Sequence, residues 1–212
     1  AKKSFEEDIV SDFKIIHIDT SIGNNEKISF RKSLKRLFEL YEHCWRFAKR
    51  NRKKIFFEIG TEEQSGTTNS IKELKKTLSE VSKFCLKRKI PKPLFVVIQT
   101  GTLVKEMKNV GSFETAIRDD KSLPPEIHLP MMIRICNKFN VMMKEHNADY
   151  LSKDALKWHP RLGIQAINVA PEFGVIETKK ILEVFRKYNL NKLSNRFLEL
   201  SFKSMKWKKW LV

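Results

Sequence analysis

The densest cluster of potentially reactive side chains in this sequence is Glu145–Asp149, which reads EHNAD. Within it, His146 could act as a general acid or base near neutral pH, and Asp149 could orient its ring. Glu145 and His146 are adjacent on a predicted strand, so without a bulge they face opposite sides of a sheet. One histidine among scattered carboxylates is a poor zinc signature. We therefore expect acid–base or binding chemistry here and no metal site.

Three more polar residues stand where apolar runs end. Asp19 ends the first run, Glu62 follows the second and Gln99 ends the third. A carboxylate at such a position can bind sugar hydroxyls or act as a base, and a buried amide needs a partner such as a ligand hydroxyl. Two of these residues also have a structural interpretation. Asp19 could be a helix cap or form a salt bridge, and Gln99 could bind a bridging water.

Two neighbouring residues are weaker candidates. His17 shares the face of Asp19, because strand side chains alternate with a period of two, but it is better explained as a hydrogen-bonded interior histidine. Glu58 lies near the end of the second run, before Glu62. We expect Glu62 rather than Glu58 to contribute to a site.

The loop 168–174, which reads NVAPEFG, follows the last apolar run. Backbone amides after the late strands of an α/β barrel often bind phosphate, and Asn168, Ala170 and Gly174 could take part in such binding. An ordinary turn is the alternative interpretation.

Five short apolar runs place these residues, and each becomes polar at its C-terminal end. They lie at 14–21, 55–62, 94–100, 141–149 and 163–172, and they predict strands near 14–20, 54–59, 94–99, 141–146 and 163–169. Near-continuous apolar runs are typical of parallel strands buried on both faces. Ligands meet such sheets at the carboxyl ends of the strands, so the polar ends indicate where a site should be.

Helical patterns separate the runs, and strict alternation of this kind predicts βαβ units around a parallel sheet. The apolar spacing predicts helices over about 29–48, 71–85, 131–139, 151–158, 175–188 and 192–205, and 101–125 is the longest irregular connection. The chain opens almost at a strand, with no preceding element expected. We expect residues 1–190 to form one βα-repeat unit and 191–212 a C-terminal helix and tail. No phosphate-loop or dinucleotide glycine motif follows any run.

Five βα units are too few to close an eight-stranded barrel. The fold class is therefore α/β, either as the C-terminal five units of a (β/α)8 barrel or as a complete five-stranded, flavodoxin-like sheet. The pattern alone does not separate these two possibilities.

The composition narrows the function classes. The chain has 212 residues, 41% hydrophobic content and 15 phenylalanines, which excludes general disorder. Three scattered cysteines, the lack of a long apolar stretch and a polar N-terminus favour a reducing cytoplasmic location and no membrane span. The net charge of +17 is spread over helix faces without a nucleic-acid motif. A lysine-rich solvated surface explains the charge best, an acidic partner less well, and nucleic acid least well.

Several collinear stretches resemble one known family, the non-catalytic subunits of class II tagatose-1,6-bisphosphate aldolase, once described as tagatose-6-phosphate kinases. They are 16–19 (IHID), 60–62 (GTE), 97–101 (VIQTG), 145–150 (EHNADY), 169–171 (VAP) and the tryptophan-containing segment 197–211. The resemblance implies a (β/α)8 barrel whose fourth strand is the first run here. It also implies a role in support of a separate catalytic, zinc-dependent subunit. Residues 63–66, Asn168 and Ala170 depart from the family pattern.

Three functions are consistent with these observations. The first is a sugar-phosphate-associated subunit with a catalytic aldolase partner, acting as a homo- or hetero-oligomer without a cofactor. The second is an independent lyase, epimerase or isomerase for a sugar or sugar phosphate, and the third is a basic binding module without a small-molecule site. The site residues expected for the enzyme are Glu62, His146 and Asp149 as catalytic groups and Asp19, Gln99, Glu145, Asn168 and Ala170 as substrate-binding groups. A histidine and carboxylates converging at one sheet edge would favour the second function.

Overall fold

A computed structural model describes residues 2–20, 22–23, 26–27, 29–60, 70–111 and 124–210. Glu62, a predicted catalytic residue, lies outside the described residues, as do the rest of 61–69 and the segment 112–123 of the long predicted connection.

The fold is built on a five-stranded parallel sheet. In chain order the strands are β1 (Ile15–Asp19), β2 (Ile22–Gly23), β3 (Glu26–Lys27), β4 (Phe56–Gly60), β5 (Phe95–Ile98), β6 (Val104–Lys105), β7 (Lys108–Asn109), β8 (Met142–Glu145) and β9 (Ala166–Ile167). The sheet order is β1-β4-β5-β8-β9, and every neighbouring pair in it is parallel. The pairs β2–β3 and β6–β7 are small antiparallel hairpins that follow β1 and β5. The prediction of adjacent parallel strands is confirmed.

Helices occupy the connections between the sheet strands. They are α1 (Lys2–Val10), α2 (Phe30–Arg50), α3 (Ile71–Arg88), α4 (Pro125–Phe139), α5 (Lys153–Leu162), α6 (Pro171–Lys187) and α7 (Asn191–Lys203), followed by a 3-10 turn at Lys206–Trp210. No helix among the described residues is both long and apolar enough to cross a membrane.

The two faces of the sheet are very different. On one face, the side chains of Ile18, Ile59, Ile98 and Met143 are essentially buried under α2, α3 and α4. Register places the alternate residues of the same strands on the opposite face, which none of the described helices covers. We call this second surface the open face. Its apolar end includes Ile15, which is 44% exposed, and its polar end carries the candidate site residues.

Helix α2 shows why the covered face is well packed. Its stripe of Leu37, Tyr41, Cys44 and Ala48 has the helical spacing of three to four residues, and all four side chains are completely buried. The ring of Tyr41 stacks on Phe57 of β4 at a centroid distance of 3.8 Å. This packing fixes β1 and β4 beside each other and so positions the polar residues at their ends.

Some element boundaries differ from the sequence predictions. The expectation that the chain opens almost at a strand was wrong, because helix α1 precedes β1 and buries Ile9 against the core. Strand β9 has only two residues, since Gly163 forms the left-handed cap of α5 and the side chain of Gln165 accepts a hydrogen bond from the Met143 amide. Helix α5 was expected to end at residue 158, before Pro160, but it continues to Leu162. Pro160 lies in the last turn of the helix.

Among the described strands, β1 and β9 are the edges of the sheet, and helices α6 and α7 have no buried residue. A crossover helix normally packs over its own strand and the next one, and α6 has no next strand within the described residues. Unpaired edges and exposed apolar side chains such as Phe56, which is 41% exposed, favour pairing with another chain.

We therefore expect the isolated chain to self-associate, or to require further βα units for a stable fold. Sedimentation equilibrium at low salt and at about 1 M salt measures this, because high salt screens the repulsion between chains of net charge +17. A stable, monodisperse monomer at both salt concentrations would contradict the expectation.

Candidate functional site

A chain of ionic contacts crosses the open face of the sheet. His17 of β1 and Glu58 of β4 are register partners, and His17 Nδ1 lies 2.7 Å from Glu58 Oε1, close but outside the angle of a hydrogen bond. Glu58 Oε2 accepts a hydrogen bond from Lys144 Nζ of β8, also at 2.7 Å. Lys144 reaches Glu58 across Val97 of β5, its own register partner. The three charged or titratable side chains therefore form one network over four strands.

Glu58 is ionised in this network. Its side chain is only 3% exposed, and burial alone would raise the pKa of the carboxyl group. The contacts with His17 and Lys144 outweigh burial and hold the pKa of Glu58 below its usual value. The open face therefore carries a fixed negative charge with a cation on one side and an imidazole on the other.

His146 lies directly after β8 and close to the same network. Burial is the main cause that lowers the pKa of its ring, and the neighbouring His17 and Lys144 lower it further, against the opposing effect of Asp19 and Glu58. His146 is therefore neutral at pH 7, with one ring nitrogen as donor and the other as acceptor. The hydroxyl of Thr102, in the loop after β5, donates a hydrogen bond to the His146 carbonyl and holds this position.

Asp19 lies beside His17 at the end of β1, with 4.0 Å between Asp19 Oδ2 and His17 Nε2. Gly60 at the end of β4 leaves room for both, since a Cβ there would lie 3.3 Å from Cε1 of His17 and 3.5 Å from Cγ of Asp19. Gln99 directly follows β5 and is only 4% exposed. The structure thus brings Asp19 and His146 together with His17, Glu58 and Lys144 near the carboxyl ends of the strands.

The structure gives Asp149 a different environment. Its carboxylate is buried, and Oδ1 accepts hydrogen bonds from the amides of Ala170 at 2.9 Å and Glu172 at 2.8 Å. Asp149 therefore caps the N-terminus of α6 from a neighbouring loop, a favourable place for a negative charge. The Ala170 amide, expected to bind substrate, is committed to this cap.

Further hydrogen bonds on either side of Asp149 join the loop after β8 to the loop after β9. The Glu172 carboxylate accepts a hydrogen bond from the Tyr150 amide, and the Asn168 carbonyl accepts one from the Ala148 amide. The Asn168 amide in turn donates to the Glu145 carbonyl. The backbone of Asn168, another predicted substrate-binding residue, therefore joins the loops after β8 and β9.

Glu145 is not brought together with the other candidates. It alternates with Lys144, so its side chain lies on the covered face, where it is 0% exposed. There Glu145 Oε1 lies 2.5 Å from Nε2 of His159 on α5, and Nδ1 of His159 lies 2.6 Å from the Ala155 carbonyl. This placement agrees with the expectation that Glu145 and His146 face opposite sides.

Sequence reasoning did not assign a role to the hairpin β6–β7, yet the hairpin holds the loop after β8. The Asn109 side chain donates to the carbonyls of Asn147 and Asp149, and it accepts from the amides of Leu103 and Gly111. Gly111 packs so closely that a Cβ there would lie 2.1 Å from the Gly101 carbonyl oxygen. The sequence signal for this tightly packed hairpin was the pair of glycines that flank it, Gly101 and Gly111.

The ionic network of His17, Glu58 and Lys144 was also largely missed. His17 was interpreted as structural and Glu58 ranked below Glu62. The available signal was the strand period of two, which places His17 on the face of Asp19, and the single polar residues Glu58 and Lys144 that interrupt two other apolar runs.

Comparisons with known proteins bear on the fold. No protein-family model and no curated protein matches this chain. Solved structures do match, among them the glycerol complex of fructuronate-tagaturonate epimerase UxaE from Cohnella laeviribosi, with a TM-score of 0.51, 14% identity and coverage of 84% of this chain and 32% of that one. Its native form has a TM-score of 0.51, 10% identity and coverage of 97% and 48%. Oxaloacetate acetylhydrolase has a TM-score of 0.51, 11% identity and coverage of 88% and 54%.

The fold is TIM-barrel-like. At this level of identity the similarity concerns the fold alone, and the chain spans about a third to a half of the length of these enzymes. Five parallel strands with helices on one face correspond to part of a (β/α)8 barrel. We call the open face the interior and the carboxyl ends of the strands the mouth, after the corresponding parts of a (β/α)8 barrel.

Proposed function

We propose that this chain carries a sugar- or sugar-phosphate-binding site at the barrel mouth, with proton-transfer chemistry of the epimerase, isomerase or lyase type. The observation that supports the proposal most directly is the grouping of His17, His146, Asp19 and Glu58 around Lys144 on the open face. Carbohydrate hydroxyls need paired donors and acceptors, and a neutral imidazole supplies both. The resemblance to sugar-phosphate aldolase subunits points to the same substrate class.

Each residue has a role in this proposal. Asp19 accepts hydrogen bonds from sugar hydroxyls, and Gln99 offers an amide at the next part of the mouth. His146 exchanges a proton with a hydroxyl or carbonyl oxygen of the substrate. Lys144 neutralises the charge of Glu58, so that the interior does not repel a carboxylate or phosphate group of the substrate. Glu62 remains a proposed contributor on the basis of the sequence resemblance.

A second candidate is the non-catalytic subunit suggested by the sequence resemblance. Two residues of the resembling stretches, Asp149 and Ala170, bond to each other and so support the fold of the loops. The open edges β1 and β9 offer places for another chain. In this version the partner is a catalytic aldolase subunit, the assembly is a cytoplasmic hetero-oligomer, and the mouth binds ligand without converting it.

Isothermal titration calorimetry tests the binding site. The probes are D-fructuronate, fructose 1,6-bisphosphate and uncharged D-fructose, titrated into the purified chain. We expect the charged probes to bind, and we expect His146→Asn and Asp19→Asn each to weaken binding by about 1–3 kcal/mol, the cost of leaving a polar partner unpaired. Glu62→Gln is included as a third variant.

The matched controls are His43→Asn, which affects a histidine paired with Glu6 on the helical side, and Asp154→Asn, which affects an exposed carboxylate on α5. These variants should bind as the wild type does. Equal binding by the mouth variants and the controls, or no binding of any probe, would remove the support for a sugar site. Binding of probes without any conversion in their proton NMR spectra would favour the non-catalytic subunit.

A further inference from the structure

We propose that His17 is the group that abstracts a carbon-bound proton from the substrate, and that Glu58 is the positioning residue that orients its ring. This inference rests on the proposed sugar site and adds to it a catalytic residue that the sequence pattern assigned to structure. It also narrows the substrate class to sugars or sugar acids with a hydrogen on the carbon next to a carbonyl group.

His17 and Glu58 face each other on neighbouring strands. The strand register fixes His17 opposite Glu58, and the Nδ1–Oε1 distance is 2.7 Å. The carboxylate is off the direction of the ring N–H, a common situation in free enzymes, where catalytic hydrogen bonds align only when substrate binds. With Nδ1 donating to Glu58, Nε2 carries the lone pair. The His17 side chain is 37% exposed, so substrate in the interior can reach it.

Neighbouring residues hold Glu58 and His17 in place. Glu58 is nearly buried and ionised, and Lys144 holds its other oxygen at 2.7 Å. A buried carboxylate with both oxygens engaged has a fixed position and charge, which is what an orienting group for histidine requires. Gly60 contributes the necessary space, because a Cβ there would lie 3.3 Å from Cε1 and 3.5 Å from Nε2 of His17. A side chain at this position would touch the ring edge that carries Nε2 and would need the ring to shift by a few tenths of an ångström.

The reaction that this arrangement supports is the removal of a proton from the carbon next to a carbonyl group. Nε2 of His17 takes the proton from the carbon, the C–H electron pair forms a C=C bond, and the carbonyl π electrons move to oxygen. Neutral His146 donates a hydrogen bond, or its proton, to that oxygen. Return of the proton from His17 to the same carbon, with the proton on oxygen going back to His146, restores the original carbonyl group. Return to the neighbouring carbon, the former carbonyl carbon, forms a new carbonyl group when the hydroxyl on the first carbon gives its proton to His146, which has donated its own. No oxidant or reductant is consumed in either case. Glu58 stabilises the imidazolium that forms.

The test is the exchange of substrate protons with solvent. The purified chain is incubated in D2O with D-fructuronate or fructose 1,6-bisphosphate, and the carbon-bound hydrogen next to the carbonyl is followed by proton NMR. We expect wild type to exchange this hydrogen and His17→Asn to be slower by about 100-fold or more, the usual contribution of a general base. His43→Asn, a histidine variant distant from the interior, should exchange at the wild-type rate.

Glu58→Gln separates positioning from folding. We expect nitrogen-15 NMR of the His17 ring to show Nδ1–H as the major neutral form in wild type, and the Nε2–H form to increase in Glu58→Gln. The exchange rate should fall in the same variant, and Glu58→Asp should restore part of it. An unchanged tautomer ratio with a lower rate would assign Glu58 a different role and overturn this half of the proposal.

The outcomes distinguish this inference from the proposed function. Calorimetric binding of the probes without deuterium exchange, or with exchange unaffected by His17→Asn, would overturn the role of His17 and leave the sugar site intact. Absence of binding would overturn both.

Discussion

Replacing Lys144 with methionine should lower the free energy of unfolding by about 3–5 kcal/mol, the usual cost of breaking a buried ion pair by removing one partner. Methionine keeps much of the length and apolar surface of lysine but leaves the nearly buried Glu58 carboxylate without its cation. His17 alone then faces that charge, from outside the angle of a hydrogen bond. Urea denaturation followed by circular dichroism measures the change.

Two further variants identify the cause. Lys180→Met removes an exposed lysine that pairs with Glu183 on α6, and we expect it to change stability by less than about 0.5 kcal/mol. The double variant Lys144→Met, Glu58→Gln removes both charges, and it should recover a large part of the loss. A loss in Lys144→Met no larger than in Lys180→Met would show that the network contributes little to stability.

The same network predicts a pH dependence. The pKa of Glu58 is lower in the folded chain than its ordinary value of 4.5. Its contribution to stability is therefore fully present above about pH 4.5, and it is lost as the pH falls through the folded-state pKa. Urea denaturation of wild type and Glu58→Gln between about pH 3 and pH 7 should show their stabilities approaching each other at the acidic end. Parallel curves over the whole range would contradict this assignment.

The sequence was sufficient to predict the sheet because the signals for parallel strands are local. Each of the five runs is apolar enough to be buried, and each is separated by a helical stripe such as that of α2. The order β1-β4-β5-β8-β9 then follows from the usual adjacency of consecutive βα units. Helix α1 was missed because it is short and buries only Ile9, so its apolar pattern is weak.

The candidate site was predicted less well, because its contacts join residues far apart in the chain. Period-two alternation places Lys144 and Glu58 on one face, but β5 lies between their strands. The strands of this pair are therefore about 10 Å apart, twice the spacing between neighbours. Only a long side chain can cross Val97 to make the contact, and the sequence does not show where a lysine will point. The position of the Glu58 carboxylate beside His17 depends on that contact in turn.

Asp149 illustrates the same limit with a larger consequence for function. Its position three residues after His146 in the sequence suggested that it orients the histidine. The loop between them bends, with Asn147 and Tyr150 in left-handed conformations at φ 57° and 58°, and this bend carries Asp149 to the start of α6. Only the folded arrangement of the loops after β8 and β9 shows which amides the carboxylate meets.

Asp149→Ala should lower the stability of the region around α6 by about 2–4 kcal/mol, because two backbone amides lose a charged acceptor and the site is buried. α6 packs mainly on α7 and has no buried residue, so this loss should appear as local opening of both helices before the sheet unfolds. Hydrogen exchange measured by mass spectrometry should show faster exchange in 171–203, with unchanged protection in β1, β4 and β5.

The variants Asp149→Asn and Asp154→Ala decide between capping and catalysis. Asparagine keeps an oxygen acceptor for the amides without the charge, so its effect on helix opening should be smaller than that of alanine. Asp154→Ala removes an exposed carboxylate in the first turn of α5 and should leave exchange in 171–203 unchanged. If Asp149 orients His146 during catalysis instead, Asp149→Asn would abolish deuterium exchange into the sugar probes while α6 stays as protected as in wild type. The buried bonds to Ala170 and Glu172 favour the capping role, since a carboxylate that holds two amides of a helix has little freedom to follow an imidazole through a reaction.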